Sequence, residues 1–442
     1  MELENEVLKR IVPSAEERNR IDRIAEKLKN TVQEYLDSHG IQAELRLVGS
    51  YAKDTYLSDP DLDLFVMFPY GTTRAELERT GLEIGENVLH GDRMYAEHPY
   101  TRALFEGTDV DLVPCIKIPN TDKLETAVDR TPFHATYVIE HLKEGQNDQI
   151  RLLKKFMKAI STYGAEPKNR GFSGYLCELL VLKYGSFDGV VKAAAEDWNI
   201  GTRLWLEKKG PAMDGALVFY DPVDSGRNVA SAVHQDTLCR FITACRDYLQ
   251  EPSEIFFFRP SDPALCEKKL EKMADTGGFR LITLVFGKPD TNEENLYAQI
   301  WKTQAAVQAQ LGHYGFNVLR STHGFDGERM TVMFMLTCDR LPGCIKREGP
   351  TIDSDTAEGF FRKWDTKAIV KPFIENGRWW AVVPRQYRSA KEMLRNEIAQ
   401  AGIGKNVDIS TMEILDHDTT VLQADRKVLC EMLDPTPYWR RK

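Results

Sequence analysis

The chain has 442 residues, a formal net charge of −9 and 42% hydrophobic residues. That length exceeds one compact core and implies roughly two to four domains. No apolar run is long enough to span a bilayer, and Met1-Glu2-Leu3-Glu4-Asn5-Glu6 lacks a basic and apolar signal pattern, so the expectation is a cytoplasmic protein with no membrane partner. The acidic balance argues against broad nonspecific nucleic-acid binding, though not against a local basic groove. The eight cysteines contain no Cys-x-x-Cys pair, which argues against a zinc ribbon and fits a reducing compartment.

Ser14-Ala15-Glu16-Glu17 behind Pro13 is a capping-box pattern. Ile21, Ile24, Ala25, Leu28, Val32, Tyr35 and Leu36 then recur at helical spacing, predicting an amphipathic packing helix that runs to Gly40. Residues 41–48 alternate as a strand and deliver the chain into Gly49-Ser50. Gly49 lets the backbone approach a ligand, Ser50 offers a hydroxyl and a backbone N–H near a helix start, and Lys53 can reach the same phosphates. Asp61 and Asp63 then lead into Leu64-Phe65-Val66-Met67-Phe68, a buried-strand pattern closed by Pro69. Alternation along a strand puts the two acids on one face, roughly 7 Å apart. Carboxylates so placed repel unless a cation lies between them, and Mg²⁺ prefers carboxylates together with substrate phosphates. A two-metal site needs a third acid, and Asp111 in the strand pattern Asp109-Val110-Asp111-Leu112-Val113-Pro114 supplies it. The order Gly-Ser, Asp-x-Asp, distant Asp is the signature of the polymerase-β type of nucleotidyltransferase fold. With a helix over 74–89 and a strand over 101–105, the first 140 residues read as an α/β domain with a mixed sheet.

Helical patterns follow over 147–162, 171–184 and 235–249, with Lys154 and Lys158 on one helix face. The turn-rich stretch from Phe219 to Ala230 ends in Arg227-Asn228, side chains suited to reading base edges. Pro252 and Pro260-Ser261-Asp262-Pro263 mark a boundary. A strand over 278–286, a helix over 293–312 and strands near 316–321 and 330–336 form a β-α-β-β order that suggests a ferredoxin-like layer, an architecture common among RNA-facing domains. Asn376-Gly377 marks a hairpin turn before Trp379 and Trp380, which cannot both face one core. The basic, aromatic end Tyr438-Trp439-Arg440-Arg441-Lys442 fits either an RNA contact or a frayed tail.

Several segments together name a family. They are Gly49-Ser50-Tyr51-Ala52-Lys53 with Asp61-Leu62-Asp63, Tyr95-Ala96-Glu97-His98-Pro99-Tyr100, Asp109-Val110-Asp111-Leu112-Val113-Pro114-Cys115 and Ala127-Val128-Asp129-Arg130-Thr131-Pro132-Phe133-His134. Arg151-Leu152-Leu153-Lys154, Tyr163-Gly164-Ala165-Glu166 and Arg170-Gly171-Phe172-Ser173-Gly174-Tyr175-Leu176-Cys177-Glu178 continue the set. Asp221-Pro222-Val223-Asp224, Arg227-Asn228-Val229-Ala230 and Arg378-Trp379-Trp380-Ala381 complete it. Along nearly its whole length the chain resembles the archaeal-type (class I) CCA-adding tRNA nucleotidyltransferases. The Arg170–Glu178 and Arg227–Ala230 segments are the more specific, since the first and third are shared with many nucleotidyltransferases.

The resemblance implies an α+β multidomain enzyme. Its parts would be a polymerase-β-like nucleotidyltransferase head with a mixed sheet over 1–140, and a helical neck with base recognition over 141–251. A tRNA-binding body and tail would span 252–442, the body ferredoxin-like and the α/β tail inserted at about 312–390. It implies template-independent addition of C, C and A to the tRNA 3′ end from CTP and ATP, with release of pyrophosphate. Asp61, Asp63 and Asp111 would be catalytic and hold two Mg²⁺ ions, Asp111 also helping to activate the primer 3′-OH. Gly49, Ser50, Lys53, His134, Lys154 and Tyr163 would contact the triphosphate, and Thr131 a sugar or phosphate. Ala96 and His98 would lie near the ribose, and Arg227 would read the base. A homodimer is left open. Asp54 stands where Gly or Asn is usual and the linker over 56–60 is short. Asp59 shares the parity of the metal face, but Asp61 runs straight into the strand while Pro60 interrupts anything earlier. The rival readings are a poly(A)-, oligoadenylate- or antibiotic-type nucleotidyltransferase with a similar metal site, and a catalytically idle RNA-binding protein on the same scaffold. Three intact carboxylates and the Gly-Ser turn argue against the idle scaffold.

Overall fold

The computed structural model describes residues 2–58, 60–95, 98–260 and 267–441. Asp59, which shares the parity of the metal face, and Ala96, expected near the ribose, lie outside the described residues. The chain divides into two compact units, Met1–Ser261 and Asp262–Lys442.

The first unit begins with α1 (Glu2–Ile11) and α2 (Ala15–Ser38). At the head of α2 the Ser14 hydroxyl accepts from the Glu17 N–H and the Glu17 carboxylate accepts from the Ser14 N–H, the reciprocal cap read from the sequence. Next come β1 (Glu44–Leu47), the single turn α3 (Gly49–Ala52), β2 (Leu62–Phe68), α4 (Arg74–Leu89), β3 (Asp92–Tyr95), β4 (Pro99–Phe105) and β5 (Thr108–Ile116). The five strands form one sheet in the order β1-β2-β5-β4-β3. β2 and β5 run parallel and the other neighbours antiparallel, so the sheet is mixed.

Alternation along β2 divides core from chemistry. Leu62, Leu64, Val66 and Phe68 enter the core with Leu28, Val32 and Leu36 of α2 and Leu77 and Ile84 of α4. Val110 and Leu112 of β5 join them. Asp63 and Asp111 are therefore turned to the opposite face, where Phe65, Met67 and Cys115 pack against Val48 and Ala135. The strand itself starts at Leu62, one residue beyond Asp61.

The unit continues with α5 (Thr131–His141), α6 (Gln146–Ala159), α7 (Gly174–Tyr184) and α8 (Phe187–Glu196). A short parallel pair, β6 (Thr202–Leu204) and β7 (Leu217–Phe219), precedes α9 (Gln235–Gln250). An aromatic cluster ties the helices together: Phe156 of α6 lies edge-on to Phe187 of α8 at 5.5 Å and to Tyr248 of α9 at 5.6 Å.

The second unit holds α10 (Glu267–Thr276), β8 (Arg280–Gly287), α11 (Glu293–His313), β9 (Val318–Phe325) and β10 (Arg329–Leu336). Then come β11 (Cys344–Thr351), α12 (Ala357–Trp364), β12 (Val370–Glu375), β13 (Arg378–Pro384), α13 (Ala390–Glu397), β14 (Glu413–Leu415), α14 (His417–Gln423) and α15 (Arg426–Leu433). The larger sheet has the order β14-β8-β10-β9, antiparallel at every neighbour. With α11 after β8 and α13 before β14 this is the ferredoxin-like arrangement. β9 and β10 belong to this sheet, so the segment that builds a sheet of its own, β11-β13-β12, begins after Leu336. In that smaller sheet Asn376 and Gly377 have φ of +52° and +73°, as a tight hairpin turn requires. Trp379 lies edge-on to Phe361 of α12 at 5.2 Å. Trp380 lies under the Lys346 ammonium, 4.5 Å from its ring centre, so the neighbouring tryptophans do separate to two faces. Among the described residues no helix is long and apolar enough to cross a membrane.

Candidate active site

Asp63 on β2 stands directly beside Asp111 on β5 in the parallel register. Burial pushes the Asp63 carboxyl up to about 6, and the charges of Asp111 and Asp61 add to it. Asp61 is also raised, by desolvation and then by Asp109 and Asp111. Asp111 has a partner on its other side. Arg102, opposite it on β4, donates from Nε to Oδ1 at 2.8 Å and from Nη2 to Oδ2 at 2.9 Å, a planar fork on both oxygens. Gly49 backs onto this cluster. Its φ is +65°, and a Cβ there would lie 1.7 Å from Asp63 Oδ2, so conformation and space both demand glycine.

No three acidic, histidine or cysteine side chains among the described residues form a ready-made metal cage. The donor set nonetheless fits a hard divalent cation: carboxylates side by side on paired strands, with a repulsion that such an ion would relieve.

Beside the acids lies a cavity of 610 Å³. Its walls include Gly49, Ser50, Lys53, Asp63, His98, Asp111, Thr131, His134, Lys154, Tyr163 and Arg227. Of the residues singled out from the sequence, Asp61 is not among the lining side chains and Ala96 lies outside the described residues. The cavity joins the face of the five-stranded sheet to the first turn of α5, to α6 and the segment after it, to α7 and to the loop after β7. Lys154 and Lys158 do not share an environment: Lys154 is buried, while Lys158 is exposed and sits 5.1 Å from the Tyr163 ring centre.

Two buried acids, to which sequence reasoning assigned no role, hold the polar side chains. Glu178 of α7 accepts from Lys53, Thr55 and Lys154. Asp221 accepts from Arg227 Nη1 at 2.9 Å and from the Tyr175 hydroxyl at 3.2 Å, and pairs with His134 Nε2 at 2.9 Å. Burial works against its charge, but His134 and Arg227 hold Asp221 below the usual carboxylate range. His134 is itself lowered by burial against the pull of Asp221, and stacks on Tyr175 at 4.1 Å. His98 pairs through Nε2 with the Pro114 carbonyl at 2.6 Å, and burial lowers it as well. Asp54 has a φ of +50°, which accounts for the Gly or Asn usual there. Its carboxylate is held by Arg18 at 2.7 Å and by Arg151.

Comparison with known proteins agrees with this layout. Residues 25–134 match a nucleotidyltransferase domain, residues 148–258 the second domain of tRNA nucleotidyltransferase, and residues 277–417 the C-terminal domain of CCA-adding enzymes. A CCA-adding enzyme of Methanosarcina acetivorans is 36% identical over 413 residues, covering 91% of this chain and 90% of its own. That of Methanosarcina barkeri is 37% identical, covering 93% and 92%. That of Archaeoglobus fulgidus is 36% identical and covers 98% of each. With such identity sustained over almost the whole length, the chain belongs to the family of CCA-adding enzymes, and its sheet-bearing N-terminal part has the polymerase-β-like nucleotidyltransferase fold.

Proposed function

We propose that this protein adds C, C and A to the 3′ end of tRNA without a nucleic-acid template, using CTP and ATP and releasing pyrophosphate. The observation that carries the reading is a cavity in which two strand-borne carboxylates face a wall of phosphate-compatible donors. The tRNA 3′-oxygen attacks the α-phosphorus, and the bond from that phosphorus to the pyrophosphate oxygen breaks. Asp111 draws on the proton of the attacking hydroxyl, so the Arg102 fork yields one of its oxygens during turnover. Lys53, His134 and Tyr163, with the Gly49-Ser50 turn, hold the triphosphate, and much of the catalysis is positioning. Thr131 and His98 lie towards the sugar, and Arg227, braced by Asp221, meets the base. Asp61, Asp63 and Asp111 would hold two Mg²⁺ ions, and the chemistry such ions would supply is a more acidic attacking hydroxyl and a neutralised leaving group. The proposed division is a head over 1–140, a neck over 141–251, and a tRNA-binding body and tail over 252–442, in a cytoplasmic protein that a homodimer would suit.

The test is incubation of the protein with Mg²⁺ and a tRNA lacking its 3′ CCA, resolving products at single-nucleotide length. Two additions from CTP alone, and a third only when ATP is present, are expected. A long A tail from ATP alone would make the protein a poly(A)-type polymerase. Retained tRNA binding with no incorporation would make it an idle scaffold.

A further inference from the structure

Glu178 has no surface exposure, yet it borders the cavity together with Lys53 and Lys154. Its oxygens divide their partners. Oε2 accepts from Lys53 Nζ at 2.5 Å. Oε1 accepts from Thr55 Oγ1 at 2.7 Å and from Lys154 Nζ at 3.3 Å. Lys154 Nζ also donates to the Thr55 carbonyl at 3.1 Å and to Thr55 Oγ1 at 3.0 Å. An ammonium has three protons, so Lys154 is fully engaged within this cluster. Lys53 has only the Glu178 bond among the described residues, which leaves protons for the cavity. A carboxylate at this depth stays ionised only because two ammonium groups face it. Burial opposes its charge, and the two lysines hold it below the usual range.

We infer that Glu178 is a positioning residue for the nucleotide triphosphate. With Lys154 and Thr55 it forms a fixed buried base from which Lys53 presents its remaining protons to phosphate oxygens. Lys154 thereby supports the phosphate contact rather than making it. The inference rests on the nucleotidyltransferase reading of the cavity. It has a specific consequence: Glu178 governs what CTP and ATP share, and neither base choice nor the grip on tRNA.

The full-length protein with Glu178→Gln, which keeps shape and removes charge, tests this. Binding of Mg·CTP and Mg·ATP without tRNA would be measured by calorimetry, pyrophosphate binding by competition, tRNA binding separately, and folding by thermal unfolding. Both nucleotide affinities are expected to fall about 10- to 100-fold, in step with pyrophosphate. The tRNA affinity should stay within about twofold, because the side chains of the cluster are almost wholly buried. Glu178→Asp, which keeps the charge but withdraws it, should fall between. Unchanged nucleotide and pyrophosphate affinity in a folded Glu178→Gln, or a loss confined to one base, overturns the inference. If that variant does not fold, Thr55→Val reports on the same cluster: a smaller parallel loss supports the inference and unchanged affinity overturns it. A wild-type protein that adds neither C nor A to tRNA would overturn the CCA-adding reading instead, with pyrophosphate binding still judging Glu178 on its own.

Discussion

Gly49 is the residue with the least room for change. Its left-handed backbone would cost another residue about 1–2 kcal/mol, and any side chain would displace the Asp63 carboxylate. Gly49→Ala should therefore lower nucleotide transfer by roughly 100-fold or more, the scale of an ångström's misplacement at a reacting centre. Transfer within a few fold of wild type would show that Asp63 can move without loss. Asp63 also sets a pH dependence. Its folded pKa, about 6 against an ordinary 3.8, means that the native state binds this proton more tightly than the unfolded chain. Stability from this group is thus present in acid and is lost as pH rises from about 4 to 6. The metal-free protein should lose thermal stability across that window, and added Mg²⁺ should raise Tm more at pH 7.5 than at pH 5. An equal Mg²⁺ effect at both pH values would show that the acids do not repel as described.

At the scale of elements, β2, β4 and β5 are one device. Parallel pairing sets Asp63 beside Asp111, and antiparallel pairing sets Arg102 against Asp111 from the other side. Arg102 holds the two oxygens that a cation at Asp111 would need. Arg102→Ala should lower the Mg²⁺ concentration for half-maximal transfer by about 2- to 5-fold, in line with a half-exposed ion pair. No change in Mg²⁺ demand would mean that the fork does not compete. The acids of this device were legible in the sequence, because Asp-x-Asp ahead of an apolar strand reports its own face. The Ser14 cap and the Asn376-Gly377 hairpin were legible for the same reason, being written in adjacent residues. Arg102, Glu178 and Asp221 were not. The bond from Lys53 to Glu178 joins positions 125 residues apart, and nothing local distinguishes a buried acid with two lysines from a solvated one. The layer that β8, β9 and β10 share was legible too, in the β-α-β-β order, whereas the start of the smaller sheet after Leu336 was not, since which sheet a strand joins is a tertiary choice.

For the whole molecule, a charge of −9 requires that any hold on RNA be local. The small sheet of the second unit offers such a place: Lys346 and Arg347 are exposed on β11, with Trp380 beneath Lys346 and Trp364 near Arg347. Paired reversal, Lys346→Glu with Arg347→Glu, should weaken tRNA binding and flatten the slope of log affinity against log salt by about 1–2, while nucleotide affinity holds. An unchanged slope would place the RNA contacts elsewhere. The family matches span both units, which is why resemblance carried the reading of function further than composition did.

The two-faced character of β2 also sets how the gene can tolerate length changes. Residues 54–58 ahead of β2 are irregular, and a residue lost there would disturb what Asp54 and Thr55 hold but would leave the faces of the strand as they are. One residue lost within β2 itself would exchange the two sides of the strand, sending Asp63 into the apolar core and Leu64 into the cavity. Insertions and deletions near this site are therefore informative about activity in a way that substitution counts are not. A relative altered ahead of the strand keeps both faces of β2, whereas one altered by a single position in the strand should be read as having lost its chemistry and its core together.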